Sequence, residues 1–124
     1  MTWANQQLYP VRHTKADHGF AAIKIVVGGS GAVTSSNGSP GVSAAKDAGT
    51  GVYNLTFPKC SGITLTGWSL KSAAGTVKTL WVVAYDASAG TAQIAIGNGG
   101  GTATNPASGD EIHLQFDVQL SSVD

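Results

Sequence analysis

Charge is scarce in this sequence. Only 11% of its 124 residues are Asp, Glu, Lys or Arg, against roughly 25% in an average soluble chain. Seven bases balance seven acids to a formal charge of zero at pH 7, so there is no net field to draw in nucleic acid or an anionic membrane. With no repulsion to keep copies apart either, the composition predicts a surface normally covered by a partner. Cysteine is almost absent: Cys60 stands alone, which excludes an intrachain disulfide and a cysteine zinc cluster within one chain. Long apolar runs are missing too, stretches such as Trp81-Val82-Val83-Ala84-Tyr85 being far short of a membrane-spanning helix. The first twenty residues hold no basic stretch leading into an apolar run, so no secretory signal is expected and synthesis is expected in the cytoplasm. What is present is a 42% hydrophobic chain of single-domain length, which excludes ordinary intrinsic disorder.

Seventeen glycines and many serines and threonines punctuate β-branched and aromatic runs at short intervals, the pattern of an all-β chain. The clearest strand is Glu111 to Leu120, in which Ile112, Leu114, Phe116, Val118 and Leu120 alternate with polar residues, so one face is expected to be buried. Gly51 to Pro58 alternates likewise, with Tyr53, Leu55 and Phe57 on one side; it is expected to form a hairpin with Val42 to Lys46. Ile63 to Leu70 reads as a strand with Ile63 and Leu65 on one side, Trp68 and Leu70 on the other, and Gly67 as a bulge candidate. Thr76 to Asp86 is the most apolar strand and reads as central; Ala87 to Gly90 turns it into Thr91 to Gly97. Phe20 to Val27 is a further strand. Asn98 to Gly109 reads as a glycine-rich loop, functional or ordered only by a neighbour. Residues 1–19 read as an N-terminal arm with a short strand at Gln7 to Arg12, and residues 20–124 as the folded domain. About seven or eight strands predict an antiparallel two-sheet β-sandwich or jelly roll.

Motifs that carry chemistry are weak. His13, Asp17 and His18 cluster in sequence, but neither strand nor helix period gathers them on one face, so a solvated arm is the better reading than a metal site. Asp110 and Glu111 point to opposite faces of a strand and cannot flank one bond, so they read as solubilising edge charges. Gly28-Gly29-Ser30-Gly31 matches no phosphate-binding pattern and reads as a turn. No nucleophile elbow or triad spacing occurs. Cys60 follows Lys59, which could lower its pKa, yet a lone thiol in a β protein reads as a small buried hydrophobe. Trp3, Trp68 and Trp81 read as packing or interface residues before they read as a sugar platform. No catalytic, cofactor-binding or metal-ligating residue is assigned, and no cofactor is expected.

The segment Gly41 to Phe57, GVSAAKDAGTGVYNLTF, resembles small structural proteins of tailed bacteriophage virions, in which such a segment opens a β-sandwich that closes on a strongly alternating strand, here Glu111 to Leu120. The resemblance covers residues 20–122 and does not extend to residues 1–19. It implies a capsid decoration, or cement, protein on the virion surface that clamps neighbouring major capsid protein subunits as a homotrimer, without catalytic residues and without nucleic-acid or membrane partners. A head- or tail-fibre, receptor-binding β domain is the alternative; the lack of heptad or collagen repeats favours the shell. The apolar residues Trp3, Leu8, Tyr9 and Val11 of the arm are the expected capsid or subunit contacts, since a segment this irregular needs a pocket elsewhere.

Overall fold

A computed structural model describes residues 18–119. The expected strand Gln7 to Arg12, the contact candidates Trp3, Leu8, Tyr9 and Val11, and the end of the last expected strand lie outside the described residues. The chain forms β1 (His18–Val27), β2 (Val33–Gly38), β3 (Ser43–Lys46), β4 (Val52–Thr56), β5 (Gly62–Lys71), β6 (Lys78–Asp86), β7 (Thr91–Asn98) and β8 (Glu111–Gln119). They build two four-stranded antiparallel sheets, ordered β2-β1-β8-β5 and β3-β4-β7-β6, which is the expected all-β two-sheet sandwich.

The period-two pattern explains the core. Ile23, Ile25 and Val27 from β1 and Ile112, Leu114, Phe116 and Val118 from β8 meet Tyr53 and Leu55 from β4 and Ile94 and Ile96 from β7, all buried. Phe57 and Phe116 pack edge to face with centroids 4.9 Å apart, an arrangement favoured by the ring quadrupoles. The β3–β4 hairpin forms as expected: the Asp47 carboxylate accepts from the Gly49 amide at 2.9 Å and from the Asn54 side chain at 2.9 Å. Those bonds hold the Asp47 carboxyl below its ordinary pKa.

Three expectations change. β6 is not central; it is the outer strand of its sheet, and β7 lies between it and β4. The ladder of β5 slips between Leu65 and Gly67, where one extra residue resets the side-chain parity. Leu65, Trp68 and Leu70 therefore oppose Phe116, Leu114 and Ile112 on one face, and the expected division of β5 into two apolar sides is replaced by a single inward side. Finally, the loop after β7 is ordered by its own chain. Asn98 Oδ1 accepts from the Gly100 and Thr102 amides, Thr104 donates to the Ile96 carbonyl, and Asn105 Oδ1 accepts from the Gly51 amide at 2.7 Å. Gly51 sits at φ +72, and a Cβ there would lie 2.5 Å from the Ile96 carbonyl oxygen, so only glycine allows this approach. Gly28 to Gly31 is a tight turn, as expected.

Candidate functional site

β5 and β6 are the outer strands of their sheets and lie beside each other along one flank of the sandwich. A link between the sheets runs through Tyr85, whose hydroxyl accepts from the Leu65 amide of β5 at 2.8 Å. On this rim Trp68 is 41%, Val83 48% and Tyr85 42% exposed, and Val77 just before β6 is 80% exposed. Natural edge strands are normally blunted by charge. Here no charged residue stands between Lys78 and Asp86, and none between Gly62 and Lys71. Both strands carry a bulge, β6 between Val82 and Ala84 and β5 beside Gly67. The bulges break the flat ladder that strand addition needs, so the rim presents side chains rather than a continuous backbone edge.

The other aromatic candidates separate. Trp81 opposes Ala95 and packs over Gly97, where a Cβ would lie 2.7 Å from its ring. Trp68 belongs to the other sheet, so the two do not build one stacking platform. Cys60 is buried, as expected of a small hydrophobe, and burial pushes its thiol pKa up; Lys59 does not activate it.

Asp110 corrects the sequence reading. It is no edge charge: it is fully buried, its Oδ1 accepting from the Ala73 amide at 2.8 Å and its Oδ2 from the Ala107 amide at 2.9 Å. It fastens the β5–β6 link and the approach to β8 to one point. Nearby, Tyr53 donates to the Gly31 carbonyl at 2.5 Å. Burial, and secondarily the Asp110 charge, push the Tyr53 phenol up to about 12. Glu111 does sit on the outer face, 3.4 Å from Lys24 and 3.6 Å from His113, and the Lys24 charge holds its carboxyl below the ordinary value.

His13 and Asp17 lie outside the described residues. Among the described residues no group of three or more His, Cys, Asp or Glu side chains could hold a metal ion, and no helix is long and apolar enough to cross a membrane. Family models, curated proteins and solved structures give no match to this chain.

Proposed function

We propose that this chain is a capsid decoration protein of a phage virion, which binds the outside of the head and stabilises the shell by bridging major capsid protein subunits. The observation that carries this reading is the uncharged rim of β5 and β6, where Trp68, Val83 and Tyr85 stand exposed on edge strands. Exposed aromatic and branched side chains on a chain without net charge suit a domain that is covered in use by protein. The likeness of Gly41 to Phe57 to virion proteins points to the same partner. The role is mechanical and takes no cofactor; copies meet as a homotrimer through the rim, and the arm residues Trp3, Leu8, Tyr9 and Val11 reach into capsid subunits. Neither nucleic acid nor membrane takes part, in keeping with the balanced charge.

Each copy bridges several subunits, so a second contact forms at high effective concentration once the first is made, and modest contacts become strong together. Binding to the assembled shell alone then stabilises that shell by mass action. The test is genome release on heating, read by a DNA-binding dye, from capsids with and without the protein. Release at lower temperature from bare capsids of normal shape supports the role; identical temperatures reject it and favour a fibre domain. Deleting residues 2–12 should leave the sandwich folded and abolish decoration; decoration with unchanged affinity removes the arm from the contact.

A further inference from the structure

Outward side chains of the β2-β1-β8-β5 sheet stand in rows that cross its strands. One row is Asn37, Lys24, His113 and Ser69, which pair in register across all four strands. Two residues along, Ala22, Gln115 and Gly67 oppose one another, and beyond them come Phe20, Asp117 and Thr64. In the middle row Gln115 is the one long side chain, flanked by Ala22 and Gly67. The result is an open depression of about 520 Å³ between Lys24 and Gln115, running across a sheet roughly 15 Å wide at the usual strand spacing.

From this trough we infer a binding site for a neutral oligosaccharide. Its lining offers Asn37, Ser69 and Gln115, whose side chains make no hydrogen bond among the described residues. Amides and hydroxyls each present both a donor and an acceptor, the match for a vicinal sugar hydroxyl. Gln115 reaches across the floor, its Oε1 being 3.7 Å from where a Cβ of Gly67 would stand. Phe20, 76% exposed on the same face, gives an apolar ring for the C–H face of a pyranose.

Other occupants fit less well. The face carries Lys24 and Lys71 against Glu111 and Asp117, and Lys24 is engaged by Glu111, so a phosphate polymer meets no excess of positive charge. β1 and β8, which floor the trough, are paired on both sides, so an added peptide strand finds no open ladder there. This inference does not rest on the decoration role: the trough lies on a sheet face and the rim on its flank, and Trp68 stands at the edge where the two meet.

The test is an amide chemical-shift titration of the full chain by NMR with maltohexaose, cellohexaose and the hexamer of N-acetylglucosamine, and separately with polyphosphate. Saturable shifts at Ala22, Gly67 and Gln115 with at least one sugar at millimolar concentration, and none with polyphosphate, are expected. Gly67→Val fills the trough at a position where a Cβ meets only Gln115 Oε1, and should weaken binding about tenfold or more with Tm unchanged. Phe20→Ala, on an exposed ring, should weaken it likewise and serves if the valine variant does not fold. Absence of saturable shifts with all three sugars, shifts confined elsewhere, a response to polyphosphate alone, or an affinity indifferent to the variants overturns the site.

Discussion

Two buried polar side chains carry more of this fold than their number suggests. Asp110 accepts from the amides of Ala73 and Ala107, which without it would be left with donors and no acceptor. Asp110→Ala should therefore cost about 2–4 kcal/mol, read as a lower urea midpoint at unchanged slope; a loss within experimental error would mean water replaces the carboxylate. Tyr53 makes the alkaline side of stability testable. Its phenol titrates near 10 in the unfolded chain and at about 12 in the fold, so the folded state holds the proton more tightly. The associated stability is fully present below pH 10 and is lost as pH rises toward 12, amounting to on the order of 2–3 kcal/mol. Tyr53→Phe should lose about 1 kcal/mol at pH 8 with its bond to Gly31, and should show a flatter decline between pH 10 and 12 in denaturant titrations. An equally steep decline in the variant would assign the alkaline loss to other groups.

At the scale of elements, legibility follows burial. β8 and β4 were readable because one face of each is buried and the other is not, which is the condition under which alternation is written into a strand. β2 (Val33–Gly38) left no such trace. It is an outer strand with a single apolar residue, Val33, and the rest of its length is exposed; pairing with β1 through the backbone makes it a strand. Asp110 was misread because an acid beside an acid suggests solvent, whereas its burial depends on two distant amides that no local pattern announces. β6 was misplaced for a more informative reason. Apolar content usually marks the middle of a sheet, and here it marks an outer strand with Val83 and Tyr85 half exposed at the rim. Val83→Lys tests that interpretation. Val83 is 48% exposed in a bulge, so stability should change by no more than about 0.5 kcal/mol, while self-association measured by sedimentation should weaken about tenfold. Unchanged association would remove the rim from the interface between copies.

For the whole molecule, the balance of charge and the position of the rim lead to a single expectation about assembly. A three-fold contact is heterologous: each copy offers one patch to a different patch on the next, and the ring closes without a self-complementary surface. A flank such as the β5–β6 rim meets this need better than a sheet face, because it lets three sandwiches lie side by side with their outer faces free. Such an association buries apolar area without charge pairs, so it should persist at high salt, where contacts built on surface ion pairs weaken. It should also follow mass action, the trimer giving way to monomer on dilution when no shell holds the copies together. Sedimentation over a wide concentration range at low and high salt is the measurement. Growth of a trimer with concentration, equal or stronger at high salt, is the expected result; a monomer at every concentration, or a trimer that dissolves as salt rises, would mean that the apolar rim is covered by another protein or that charge, not this surface, joins the copies.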